Sequence, residues 1–377
     1  MTREPHEQAL ETATPPASAA EAVLVLGMHR GGTSAVAGLL QHSGFDLGHA
    51  LMEPAAGIND KGFFESLEAL QIHERFLASL GRSRFDPREM PNGWREHPAY
   101  RVAVDEVADL VRREFAASPR WAIKDPRLCR IAPVWIDALA SLGIAPRAIL
   151  VVRHPAEVAR SMFAQRWVAS SARAHLCWLE HMLEAEQATC AIRRSLVTFD
   201  ALLSDWRGER ERIGAELGIE WPALDTDAAT AIDAFVDTRE RRFDENGNGD
   251  GAAGVPPIAM DLFGICRRGG DKVWDEIAVL GESFARGAAA FAPCLDEAIV
   301  EASLAFIEAG QGRDIASRVA LLPDWDRLSH EVASLAESQS ALARGLGERD
   351  AHAQRSNEAL HASISALSAM IERLAGR

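Results

Sequence analysis

The residues best placed to do chemistry are Gly27-Met28-His29-Arg30-Gly31-Gly32-Thr33-Ser34. They follow a short apolar run, Ala22-Val23-Leu24-Val25-Leu26, and precede a helix-like stretch over 34–43 with Val36, Leu39 and Leu40 on one face. The order is strand, glycine-rich turn, helix, which is the context a phosphate loop needs. Glycines let the backbone curl so that successive N–H groups point into one concavity. The helix start adds donors without intrahelical partners and a partial positive charge. Thr33 and Ser34 bring hydroxyls, and Arg30 brings a full charge. The spacing is that of a Walker A loop, but Thr33 stands where a nucleoside triphosphatase carries its Lys. The charge has moved to Arg30. The apolar run that ends at Val152 is followed by Arg153, not by a Walker B Asp. The expected ligand therefore carries phosphate and needs no metal ion. A plain glycine turn is the competing reading, and the strand–turn–helix context argues against it.

A second constellation is Arg153-His154-Pro155-Ala156-Glu157-Val158-Ala159-Arg160-Ser161. Arg153 closes a buried strand, and Ser161 follows on the next helix, just over two turns later. A guanidinium at the strand end and a hydroxyl on the helix can close around one phosphate. An Arg after a strand is also a common salt-bridge partner.

These residues need a scaffold of alternating strands and helices. Short apolar runs at 22–26, 121–123, 148–152 and 196–200 read as strands, the first and third buried on both faces. Helical patterns over 133–142 and 156–167 lie between them. The fold expected is α/β, a P-loop-type core with a mostly parallel central sheet flanked by helices. Polar and Gly-rich residues gather after the first and third strands, where open α/β sheets bind ligands. Residues 1–20 read as a disordered N-terminal arm, 21–310 as the α/β domain and 311–377 as a helical tail. Residues 244–251, Asp-Glu-Asn-Gly-Asn-Gly-Asp-Gly, read as a surface loop. Helical patterning resumes over 273–309.

Taken together, the two phosphate motifs resemble those of sulfotransferases that use 3′-phosphoadenosine 5′-phosphosulfate (PAPS). Arg30-Gly31-Gly32-Thr33-Ser34 is similar to their 5′-phosphosulfate loop, with Arg for the commoner Lys and Gly31 for the commoner Ser. Arg153 and Ser161 are similar to their 3′-phosphate pair. Val197-Thr198-Phe199-Asp200-Ala201-Leu202-Leu203 is similar to a strand-to-helix segment of the family, and residues 205–217 continue as the helix that follows it. The resemblance covers about residues 22–310 and is closest to a bacterial branch with Gly-Met-His-Arg-Ser-Gly-Thr-Ser loops and a Lys-Asp-Pro-Arg segment. It implies transfer of a sulfuryl group from PAPS to an acceptor hydroxyl, with a carbohydrate or glycolipid as the family-level acceptor. It also implies Arg30, Gly31, Gly32, Thr33, Ser34, Arg153 and Ser161 as donor-binding residues. Gly31 removes a hydroxyl that would bond the 5′-phosphate.

Such chemistry needs a base for the acceptor hydroxyl and cations for the charge on the transferring group. Glu65, in Asn59-Asp60-Lys61-Gly62-Phe63-Phe64-Glu65, is the base candidate, because relatives place a Glu after a similar segment. The bland alternative is a carboxylate at a helix start. His29 and His49 are rival bases with little signal. Lys124, in Lys124-Asp125-Pro126-Arg127, stands at a strand end as in the family's Lys-x-Pro segment. Its role is to stabilise the bridging oxygen or bind acceptor, or else to form a strand-end ion pair. Arg127 and Arg130 either bind an anionic acceptor or are solvated. Arg267-Arg268-Gly269 is a three-residue match to the family's other 3′-phosphate segment and reads as incidental.

Composition bounds the alternatives. Hydrophobic residues make up 47% of the 377, enough for a full core. Lys plus Arg is 40 against 55 Asp plus Glu, a net charge of −15, so nucleic acid is not an expected partner. A neutral hydroxyl compound fits that charge better than a polyanionic acceptor. No apolar run approaches the ~18 residues of a transmembrane helix, and residues 1–20 lack a signal-peptide core; cytoplasmic residence is expected. The five cysteines are scattered and read as buried small hydrophobes. Two other functions stay open: a P-loop kinase or NTPase, and a catalytically degenerate sulfotransferase-fold protein acting through its C-terminal helix.

That helix shows in Leu328, Val332, Leu335, Leu342 and Leu346, and again in Leu360, Ile364, Leu367, Ile371 and Leu374. The 4-3 spacing is that of a coiled coil, interrupted at Gly345 and Gly347. A homo-oligomerising or partner-binding helix and a hairpin tail both fit it. If the tail drives association, light scattering will give an oligomer for the full chain and a smaller particle once 323–377 are removed. A monomer in both cases rejects that role.

Overall fold

Ala22, Leu24 and Leu26 leave the first strand on one side and Val23 and Val25 on the other, and all five are fully buried. A strand apolar on both faces must lie inside a sheet covered by helices twice over. The computed structural model describes residues 20–55, 59, 61–168, 170–236 and 254–288 and has that architecture. Strands β1 (Glu21–Leu26), β2 (Arg120–Lys124), β3 (Pro146–Val152) and β4 (Arg193–Thr198) form one parallel sheet in the order β2-β1-β3-β4. The four expected strands are these four, each a residue or more longer at its start.

Helix α1 (Thr33–His42) follows β1. Helices α2 (Leu67–Ser79) and α3 (Pro98–Glu114) precede β2. α4 (Leu128–Ser141) leads to β3, and α5 (Pro155–Ala164) and α6 (Ser171–Thr189) lead to β4. α7 (Phe199–Ser204), α8 (Trp206–Leu217), α9 (Thr226–Phe235) and α10 (Pro257–Arg268) complete the series, with helical residues again over 273–288. The expected helix over 133–142 starts five residues early. Asp125 and Pro126 accept from Leu128 N–H and Cys129 N–H, which closes a first turn. The helix then bends at Ile131, two residues before Pro133. The expected loop over 244–251, the seam residues from Leu328 and the boundary at 310 lie outside the described residues.

The pleat sorts the core into two layers. Val23, Val25, Ile149, Val151 and Val197 meet Val36, Leu39 and Leu40 of α1 with Ile213 and Leu217 of α8. Leu24, Leu26, Ile123, Leu150 and Val152 meet residues of α3, α4, α5 and α6. The chain therefore leaves β1 toward one face and β3 toward the other, although the two strands are neighbours. This is a topological switch point, and it opens a crevice at their carboxyl ends. The chain divides into two units, Met1–Ala285 and Arg286–Arg377, and the four strands and α1 to α10 belong to the first. Among the described residues no helix is long and apolar enough to cross a membrane.

Gly38 in α1 tests how tightly α9 packs. Ala is the better helix former by ~1 kcal/mol. Yet a Cβ at Gly38 would lie 2.4 Å from the Phe235 ring. Overpacking costs ~1–3 kcal/mol, so Gly38→Ala is expected to lower the denaturation midpoint. The added change Phe235→Leu should recover part of the loss. A raised midpoint in the single variant would refute the packing.

Candidate functional site

The phosphate loop turns on its own backbone. Gly31 N–H donates to the Met28 carbonyl at 2.8 Å, and Arg30 takes the left-handed conformation with φ 67°. Gly32 stands at the start of α1 with φ 90°, and no side chain caps that helix. Ala35 N–H donates to the Gly32 carbonyl at 2.9 Å, which leaves the N–H groups of Thr33 and Ser34 for a ligand. Two glycines are required sterically. A Cβ on Gly32 would lie 2.3 Å from the Phe199 ring, and one on Gly31 would lie 2.6 Å from the Met28 carbonyl oxygen. A Ser at position 31 would not fit this turn without moving its backbone.

The switch point brings the two phosphate motifs together across more than a hundred residues. Arg30 Nε donates to Ser161 Oγ at 2.8 Å. Arg153 Nη1 donates to the Arg30 carbonyl at 3.2 Å. Arg153 also pairs with Glu157 at 2.6 Å and lies over the Phe199 ring. Trp178 Nε1–H fixes the Arg153 carbonyl at 3.2 Å. Thr33 is buried, whereas Ser34 Oγ donates to the Phe63 carbonyl at 3.4 Å and accepts from Asn59 Nδ2 at 3.1 Å. The result is one patch of N–H and O–H donors with two guanidinium groups, a composition that suits phosphate oxygens.

Beside this patch lies a buried ionic cluster. Lys124 Nζ donates to Glu65 Oε1 at 2.7 Å and to the Phe63 carbonyl at 2.9 Å. The Phe63 oxygen thus receives both Ser34 and Lys124, which joins the phosphate loop to the Glu65 pair. Glu65 sits just ahead of the cap of α2, where Ser66 accepts from Ala69 N–H, and Phe64 before it is left-handed with φ 57°. Arg127 Nη1 stands 3.6 Å from Glu65 Oε2. Arg127 also bonds Asp125 at 2.9 Å and Glu74 at 2.6 Å. Asp125 in turn meets His73 Nδ1 at 2.9 Å, and His73 Nε2 accepts from Trp135 Nε1–H at 2.8 Å. Burial alone would raise the Asp125 carboxyl, but Arg127 and His73 hold it well below the usual carboxylate range.

The structure decides the lesser candidates. Lys124 forms its strand-end ion pair with Glu65, not with Asp125. Arg127 and Arg130 are not solvated: each is only 2% exposed. Arg130 spends its donors on Glu184 and on the carbonyls of Asp86 and Arg88, which straps that loop to α6. His49 is exposed and pairs with Glu114. Arg268 pairs with Glu276 at the exposed end of α10. Cys129, Cys177 and Cys266 are buried as expected, while Cys190 is exposed. Sequence reasoning missed His73, Glu74, Phe85, Trp167 and His181. Each is a single polar or aromatic residue with no spacing to distinguish it.

Among solved structures the chain is similar to the sulfotransferase domain from the Synechococcus PCC 7002 olefin synthase. Identity is 18% over 72% of this chain and 97% of that one, with a TM-score of 0.36. An overlap of that extent carries no chemistry from one chain to the other. No family model and no curated protein matches the chain.

Glu180 is a buried carboxyl group of α6. Burial first, then the neighbouring Glu184, pushes its carboxyl from 4.5 up to about 9. Between those values the unfolded chain releases a proton that the folded chain keeps, so this group weakens the fold as pH rises. Glu180→Gln is expected to raise the melting midpoint at pH 8 by several degrees and leave it unchanged near pH 4. An equal shift at both values would refute the neutral carboxyl.

Proposed function

We propose that this chain is a sulfotransferase that moves a sulfuryl group from PAPS to the hydroxyl of a neutral acceptor, a carbohydrate or glycolipid by family analogy. The observation that carries the reading is the 2.8 Å bond from Arg30 to Ser161, with Arg153 on the Arg30 carbonyl. Two motifs 131 residues apart in sequence meet at the crevice where a nucleotide with two phosphate-bearing ends would lie. PAPS fits the donor set of this patch, and when bound it supplies an activated S–O bond.

Each residue then has a defined task. The N–H groups of Thr33 and Ser34, with the Arg30 and Ser34 side chains, hold the 5′-phosphosulfate. Arg153 and Ser161 hold the 3′-phosphate. Glu65 accepts the proton of the acceptor hydroxyl as its oxygen bonds to sulfur. Lys124 neutralises the charge that collects on the bridging oxygen as its bond to sulfur breaks, and adenosine 3′,5′-bisphosphate leaves with that oxygen. The pairing of Glu65 with Lys124 holds both groups at the carboxyl end of β2 before substrate arrives, so little reorganisation remains for the reaction itself.

Calorimetric titration with adenosine 3′,5′-bisphosphate tests the donor site. Arg30→Ala is expected to weaken binding ~10- to 100-fold, the loss of one charge-assisted bond of ~1.5–3 kcal/mol. Arg153→Ala should do the same when combined with Glu157→Gln, which avoids a lone buried carboxylate. Glu65→Gln should keep nucleotide affinity and lose ~10²–10⁴ in turnover. The assay is transfer of labelled sulfate from PAPS into a cell extract. A wild-type protein that neither binds the nucleotide nor labels any product would end this reading.

A further inference from the structure

Two imidazoles that the transfer chemistry above does not use meet edge to face behind the phosphate loop. His29 belongs to the loop itself, and His181 lies in α6; their ring centres are 6.4 Å apart. Both are buried, at 8% and 0% exposure. In each ring Nε2 is buried without a hydrogen-bond partner. Native proteins rarely leave such atoms unsatisfied, and an exception points to a ligand or an ordered water.

The protonation of His181 follows from geometry. Its Nδ1 lies 2.7 Å from the Cys177 carbonyl oxygen. A carbonyl only accepts, so Nδ1 carries the proton and Nε2 presents a bare lone pair. Burial first, then Arg130 and Arg127, keeps the ring neutral and pushes it down to about 3, with the Cys177 bond and Asp125 acting the other way. His29 is held neutral in the same manner, by burial first and then by Arg127 and Arg84 against Asp125. A neutral His29 can place its single proton on Nε2. The pair then offers one acceptor and one donor.

We propose that His29 and His181 form a receptor for a single hydroxyl group, which donates to His181 Nε2 and accepts from His29 Nε2–H. A hydroxyl is the small group that can do both at one atom. The walls suit a polyol: Phe85 and Trp167 stack on one another with centres 5.8 Å apart, and both set their faces or edges against His29. Trp167 also lies under Arg30. The hydroxyl is thereby held one loop residue from the donor-binding guanidinium. Its source is either an ordered water or a hydroxyl of the acceptor, and the second assignment rests on the sulfotransferase reading.

Nitrogen NMR on protein labelled at histidine tests the receptor, with glycerol as the probe and His181→Phe to assign the signals. The expected result is His181 as the Nδ1–H tautomer at pH 6, with an Nε2 signal that glycerol moves saturably. The variant should abolish the matching response at His29. A hydrogen-bonded Nε2 signal that is present without glycerol and indifferent to it supports the receptor and assigns the hydroxyl to water. His181 found protonated at pH 6, found as the Nε2–H tautomer, or showing an unbonded Nε2 that glycerol leaves unmoved overturns the proposal. Adenosine 3′,5′-bisphosphate is titrated into the same sample. Loss of that binding with the glycerol response intact would remove the sulfotransferase reading and leave the receptor standing.

Discussion

Everything in this site depends on β1 and β3 lying side by side while their outgoing chains part to opposite faces of the sheet. Parallel pairing fixes Leu26, the last residue of β1, against Leu150, so β3 runs only two residues further before its own turn. One turn must bend toward α1 and the other toward α5. The space between them cannot be filled by backbone, and the groups that line it are the first residues after each strand. Arg30 and Arg153 are therefore neighbours by topology, whatever their separation in sequence. Val25 pairs with Lys124 in the same register, which brings the end of β2 to the other side of the loop.

The charges next to this crevice are unusually deep. Arg127, Lys124 and Glu65 are 2%, 3% and 5% exposed. Burial of single charges would be prohibitive, and here each cation meets at least one carboxylate. Arg127 alone meets three. Such a network adds little to net stability against an apolar alternative, but removal of one member strands the others. Its function is better seen as fixing direction. The line from Trp135 through His73, Asp125 and Arg127 ends on Glu65, so the orientation of the Glu65 carboxylate is set from the interior.

Much of this was legible in the chain. The α/β class, the four strands and the paired phosphate motifs follow from local apolar runs, glycines and Arg positions, all of which act within a few residues. The Glu65 position was legible as a turn into a helix, because Gly62 and the two aromatics after it mark it. What stayed hidden depended on contacts between distant elements. His181 and His73 look like ordinary helix residues until α6 and α2 are packed. Arg127 and Arg130 look solvated until their carboxylates arrive from other helices. Gly31 looked like a lost hydroxyl, and the closeness of the Met28 carbonyl is a property of the turn that no residue type announces.

Among the described residues three that are not glycine take the left-handed conformation: Arg30, Phe64 and Arg166. Each is itself in the site or stands directly before a residue that is, the other two preceding Glu65 and Trp167. The conformation costs a residue with a side chain ~1–2 kcal/mol, and glycine would relieve it. A selection for heat resistance alone would therefore favour Gly at position 30, where the gain in stability deletes the guanidinium that joins the two motifs. In this chain one route to a sturdier protein runs through the loss of the residue on which the two motifs meet.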